Sequence, residues 1–161
     1  MYLAAVFACL IGLARSDSYV NSTAYEQGQY GPAPYQNFTS RPDLHPAAVN
    51  VRQGYNASLS PGYWFLGYSG PDAAYPAPQI LDQQGELVWM SNTSAMVLGF
   101  RAQTYQNQSV LSYWQGEFFP VGYGHGVWNL LDTSYNLIRT VQAVGYNDSV
   151  TDLHEMQITA K

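Results

Sequence analysis

The chain has 161 residues, six of them Lys or Arg and eleven Asp or Glu, for a formal charge of -5 with only 11% charged residues. Hydrophobic residues make up 47% and aromatic residues 15%, a balance that excludes disorder as the general state. Arg15, Arg41, Arg52, Arg101, Arg139 and Lys161 are scattered, which excludes a phosphate-tracking stripe and speaks against a nucleic-acid partner.

Met1 to Ser16 reads as a secretory signal peptide. Tyr2–Leu13 is almost wholly apolar, and Ala14 and Ser16 supply small residues at the -3 and -1 positions of a cleavage site. The apolar run of about twelve residues is too short for a bilayer span of about twenty, so no transmembrane segment is expected in the mature chain. No Lys or Arg precedes the run, and a buried first strand or helix is the alternative reading. Six Asn-x-Ser/Thr triplets, at Asn21, Asn37, Asn56, Asn92, Asn107 and Asn147, agree with secretion and N-glycosylation. The only cysteine, Cys9, lies inside the signal, so the mature chain is expected to hold neither thiol nor disulfide.

Residues 17–61 show no clear period and contain Gly31-Pro32-Ala33-Pro34, Arg41-Pro42 and His45-Pro46. Proline removes backbone donors and pushes the preceding residue extended. An extended, wrapping segment is expected here, with a short strand near Ala48–Arg52 and His45 as an exposed loop histidine.

From Gly62 the texture turns to strands. With 14 Tyr, 14 Gly and 9 Pro and no long stretch of helical period, the chain reads as all-β. Tyr63–Tyr68 is an aromatic strand. Gln79–Asp82, the turn Gln83-Gln84-Gly85 and Glu86–Trp89 make a tight hairpin, opened by Asp and closed by Gly. Met96–Tyr105 is a strand that turns through Gln106–Gln108 into Ser109–Trp114. A Gly-rich loop is expected next, then a second hairpin: Asn129–Asp132, the turn Thr133–Asn136, and Leu137–Val141. Asp82 and Asp132 stand fifty residues apart. Leu153–Thr159 alternates and reads as the start of a further strand. Units of about fifty residues with about four strands each suit a β-propeller, here two to three blades after the N-terminal segment. A sandwich or jelly roll is the alternative.

Four motifs narrow this. Pro78–Trp89 (PQILDQQGELVW), Leu111–Gly116 (LSYWQG), Gly124-His125-Gly126 followed by Leu131–Tyr135 (GHG…LDTSY), and Asp152–Thr159 (DLHEMQIT) resemble, in the same order, motifs of the fungal-type arylsulfotransferase-like family. Met156 departs from the family's usual Phe. The resemblance implies a propeller over residues 62–161, a secreted protein, and sulfate transfer between phenolic compounds through a histidine-bound intermediate. A phenol or aryl sulfate is then the implied partner. The chain stops at Lys161 within what the resemblance makes the first strand of another blade. It is therefore expected to be an amino-terminal part, or a short relative, without independent catalysis.

The first strand of a propeller blade lines the central channel, so the resemblance makes His154 the first candidate for a channel residue. His125, between two glycines, and Arg101, in an apolar strand, are the others. Imidazole nitrogen is nucleophilic near neutral pH, and sulfuryl oxygens call for cationic donors. No catalytic residue is assigned outright. No cofactor or metal is implied. Ile158 breaks a His-Glu-x-x-His zinc pattern, and Gly122-x-Gly124-x-Gly126 lacks the strand-before, helix-after context of a dinucleotide loop. Trp64, Trp89, Trp114 and Trp128 are read as inter-blade core or as a stacking platform for a sugar or phenol. A non-catalytic extracellular glycoprotein that binds carbohydrate or protein is the competing function.

Overall fold

The computed structural model describes residues 18–53, 61–92, 95–145 and 151–159. The signal-like stretch, Cys9, Asn56 and Asn147 lie outside the described residues. Among the described residues no helix is long and apolar enough to cross a membrane. The protein is all-β: the described residues form nine strands and one four-residue helical turn, the strands lying in three open sheets.

The N-terminal segment is mostly irregular, as proline demands. The strands β1 (Tyr19–Val20) and β2 (Asn50–Val51) pair in parallel, so the strand expected over Ala48–Arg52 is shorter than predicted. Between them lies an unforeseen turn of helix, α1 (Thr23–Glu26). The Ser22 side chain caps it by accepting the Tyr25 N–H at 3.2 Å. His45 is half-buried rather than exposed, because Tyr75 and Tyr35 hold its ring at centroid distances of 4.0 and 4.9 Å. The segment wraps onto the first hairpin through buried polar side chains. Ser18 Oγ and Gln36 Nε2 both donate to the Gly85 carbonyl, at 2.6 and 2.9 Å, and Gln79 Oε1 accepts the Ala47 N–H at 2.9 Å.

Sheet 1 comprises β3 (Trp64–Tyr68), β4 (Ala77–Leu81) and β5 (Leu87–Met90), all antiparallel. It has three strands where about four were expected. Sheet 2 comprises β6 (Met96–Tyr105), β7 (Gln108–Phe119), β8 (Tyr123–Leu131) and β9 (Leu137–Val141), antiparallel in that order. Gln106 and Asn107 join β6 to β7 with both φ positive, the two-residue turn that matches strand twist.

The two Asp-led hairpins repeat atom for atom. Asp82 Oδ1 accepts the backbone N–H groups of Gln84 and Glu86, and Asp132 Oδ1 those of Ser134 and Asn136, at 2.8–2.9 Å. The register shifts at Ile80/Leu81 in one and at Leu130/Leu131 in the other. The fifty-residue offset extends to the left-handed position of each loop, Gly85 (φ 83°) and Tyr135 (φ 63°). Glycine takes that conformation freely. Tyrosine does so at a cost of roughly 1–2 kcal/mol.

The expected Gly-rich loop after Trp114 is instead strand. β7 runs through Gly116 to Phe119, and β8 enters through Gly124 and Gly126. These glycines form a socket. A Cβ on Gly124 would lie 2.8 Å from both Trp114 and Leu153, and one on Gly126 would lie 2.5 Å from the Trp114 indole. Their purpose is close packing against an indole, which the one-dimensional pattern shares with turns.

Each face of sheet 2 has its own core. One face meets sheet 1, with β3 and β4 lying against β6. Ile80, Val97, Phe100, Tyr113 and Leu131 are buried there, joined by Trp89 and Leu111. The other face holds Trp114 and Trp128, 0% and 2% exposed, packed with Leu153, Leu98, Val141 and Met156. A bulge between Leu98 and Arg101 lets β6 serve both faces. Its pivot is Gly99, at φ 61°, where a Cβ would stand 2.6 Å from Trp128 Cη2.

Gly99→Ala is therefore expected to lower unfolding stability by roughly 2–4 kcal/mol, from backbone strain plus overpacking. Gly122→Ala, at φ 96° with open space around it, is expected to cost only about 1 kcal/mol. Urea denaturation of both variants checks the comparison. Equal losses would mean that Trp128 does not press on the bulge.

Candidate functional site

The candidate site is built by residues 151–159, which cross the tryptophan face of sheet 2. The sequence pattern predicts a strand there, but the segment is irregular. Its anchors are mainly side-chain to backbone hydrogen bonds rather than a strand ladder. Thr151 Oγ1 donates to the Gly126 carbonyl at 2.7 Å. The indole N–H groups of Trp114 and Trp128 donate to the carbonyls of Thr151 and Asp152, at 3.3 and 2.9 Å. Gln103 uses both ends of its amide: Nε2 donates to the Met156 carbonyl at 3.1 Å, and Oε1 accepts the Ile158 N–H at 2.8 Å. With side chains occupying its backbone groups, the segment satisfies its polar atoms without strand pairing.

Arg101 belongs to the same set. Its Nη2 donates to the Met156 carbonyl at 2.9 Å, and its Nη1 pairs with Glu155 at 3.1 Å. Its Nε is buried without a hydrogen-bond partner among the described residues. The guanidinium is thus engaged in holding the segment, and Glu155 offsets its charge beside any incoming anion.

His154 lies between buried Leu153 and exposed Glu155, with its side chain 65% exposed. Its Nδ1 is 2.7 Å from Asp152 Oδ1, and its backbone N–H donates to the same oxygen at 3.2 Å. The His154 ring therefore holds the Asp152 carboxyl below the ordinary carboxylate range, helped by that backbone N–H. Donation from Nδ1–H to Asp152 fixes the ring and, in the neutral imidazole, leaves Nε2 without the proton. In that state Nε2 carries a lone pair suited to a nucleophile or proton acceptor. The sequence reading missed Asp152 as a partner; the signal available was its position two residues before His154.

His125 is elsewhere. Gly124 and Gly126 face the Trp114 indole, so His125, between them on β8, projects from the opposite face. It stands across from Glu117 on β7, near Phe119 and Tyr123 at centroid distances of 5.0 and 5.9 Å. The structure thus brings Arg101 to the segment that carries His154 and leaves His125 on the other side of the sheet. Among the described residues no group of His, Cys, Asp and Glu could hold a metal ion. The tryptophans divide: Trp114 and Trp128 are core, Trp89 is partly buried at the sheet junction, and Trp64 is 61% exposed.

These features define an all-β protein with a repeated Asp-led hairpin and an Asp-supported histidine on the segment that follows the second repeat. Residues 101–161 match the family model described as Arylsulfotransferase (ASST). The match covers less than half of the chain and marks that region as similar to the arylsulfotransferase family. It begins inside β6 at Arg101 and takes in His125 and His154. The first hairpin, Pro78–Trp89, lies outside it. No curated protein and no solved structure matches the chain.

The Asp152 carboxylate stabilises the docked segment above the ordinary aspartate pKa of about 3.9. That contribution is expected to fade as pH falls through its lower folded value. A carboxyl-carbon NMR titration should show Asp152 titrating below an ordinary aspartate. His154→Ala should move its midpoint up; an unmoved midpoint would break the pairing.

Proposed function

We propose that the protein is a secreted, N-glycosylated arylsulfotransferase-like β-propeller of the fungal type. In this reading residues 1–16 are a signal peptide, 17–61 an extended segment that braces the first blade, and 62–161 part of the propeller. Sheets 1 and 2 are successive blades. The observation that carries the reading is the fifty-residue recurrence of carboxylate cap, register shift and left-handed residue, with the family match lying over the second copy. Stacking supports it too. Sheet 2 presents one face to sheet 1 and the other to the segment that would lead into the next blade. The four described sequon asparagines, Asn21, Asn37, Asn92 and Asn107, are all exposed, as glycan attachment requires.

The activity proposed is transfer of a sulfuryl group from an aryl sulfate to a phenol. The donor S–O(aryl) bond breaks, a histidine nitrogen accepts the sulfuryl group, and the acceptor phenol oxygen then takes it. His154, with Nδ1 held by Asp152, contributes to this site by contacting the sulfuryl oxygens or moving the acceptor proton at Nε2. Arg101 positions His154 through the Met156 carbonyl and Glu155.

The complete secreted protein should release 4-nitrophenol from 4-nitrophenyl sulfate only when a second phenol is present. His154→Gln should slow this on the order of a hundredfold, with the fold retained by circular dichroism. Full activity in His154→Gln would remove His154 from the site, and no transfer in the complete protein would sink the enzymatic reading. Treatment with peptide-N-glycosidase should lower the mass of the secreted protein; an unchanged mass would refute glycosylation.

A further inference from the structure

The geometry points to a second binding site, for a neutral pyranose sugar, in the cleft between sheets 1 and 2. The cleft has a volume of about 650 Å³ and lies on the face of sheet 2 away from His154. That size suits one or two sugar rings.

Its mouth is aromatic. Trp89 on β5 and Tyr135 in the second hairpin stack at 4.6 Å with their rings 10° from parallel. Tyr135 occupies the left-handed position that Gly85 fills in the first hairpin. A bulky residue in that conformation is a strained choice, and such strain gathers at ligand-binding positions. Here it delivers a ring to the rim of the cleft, 42% exposed. The apolar C–H face of a pyranose packs on a surface of this kind.

The floor is polar and linked. Asn129 Nδ2 donates to Gln115 Oε1 at 3.2 Å, and Thr140 Oγ1 donates to Asn129 Oδ1 at 3.1 Å. The Tyr113 hydroxyl shares a hydrogen bond with Asn129, and burial raises its pKa above the ordinary phenol value, so it stays protonated. The Gln115 Nε2 group takes no part in this chain of bonds and is left to the cleft. Amides present a donor and an acceptor side by side, which suits the vicinal hydroxyls of a sugar.

Charge decides between ligand classes. Among the described residues no Lys, Arg, His, Asp or Glu lines the cleft, so a sulfate, phosphate or carboxylate entering it would lose hydration without a counter-charge. The site is therefore distinct in chemistry as well as position from the histidine on the opposite face, and the inference does not depend on sulfuryl transfer. A simple phenol would use only one of the polar groups on the floor, leaving the others unmatched.

The test is titration of the protein, freed of any attached glycans, with methyl β-glucopyranoside, methyl α-mannopyranoside and methyl β-galactopyranoside. Tryptophan fluorescence and amide NMR shifts report binding. At least one glycoside should bind saturably and shift the Gln115 side-chain amide resonances. Tyr135→Gly should weaken that binding about tenfold or more while keeping the far-UV circular dichroism of the wild type, since glycine takes the left-handed backbone position freely. Tyr135→Phe should bind like the wild type. The proposal is overturned if no glycoside saturates, if Tyr135→Gly binds as tightly as the wild type, or if 4-nitrophenol competes for the cleft more tightly than every sugar.

Discussion

On the outer face of sheet 2 an indole occupies the room left by missing Cβ atoms. Trp114 sits over Gly116, Gly124 and Gly126, and its ring edge reaches the Thr151 carbonyl. Trp128 does the same one residue further on, at Asp152. Two large apolar groups are thus buried, and their two N–H donors are satisfied by the segment that covers them. Everything about the candidate histidine follows from this contact. It places Leu153 in the core and leaves His154 outward beside Asp152. It also sets Met156 where Arg101 and Gln103 can bond its carbonyl.

The same economy of parts governs the repeat. A five-residue hairpin loop is closed by one carboxylate that accepts two backbone N–H groups, and it is used twice at an interval of fifty residues. The two copies then diverge in what surrounds them. The first loop is bound by Ser18 and Gln36 of the N-terminal segment. The second turns Tyr135 against Trp89 of the first sheet. One loop therefore anchors a wrapping chain, while its copy helps to join two sheets.

The candidate site was partly legible in residue order. His154 stood out because the family resemblance set it near the start of an alternating run; the acid two residues before it, Asp152, went unread. The run misled as to strand, since alternation reports which residues are buried and not what their backbone groups bond to. The glycines of β7 and β8 misled in a related way. Close approach and turning both call for a missing side chain, and only the position of Trp114 separates the two. His45 looked exposed beside prolines, yet tyrosines thirty residues and ten residues away in the chain close over it.

From the sequence alone came the all-β class, the two hairpins with their fifty-residue spacing, a turn within Gln106–Gln108 and the absence of helical period. These are local matters, set by φ preference, turn chemistry and side-chain alternation within a few residues. The tertiary structure alone decided that the Gly-rich stretch is strand and that residues 151–159 dock through side chains. It alone decided that His125 and His154 lie on opposite faces of one sheet. Those outcomes depend on which distant surfaces meet, and burial against a partner many residues away outweighs the small energies of local preference.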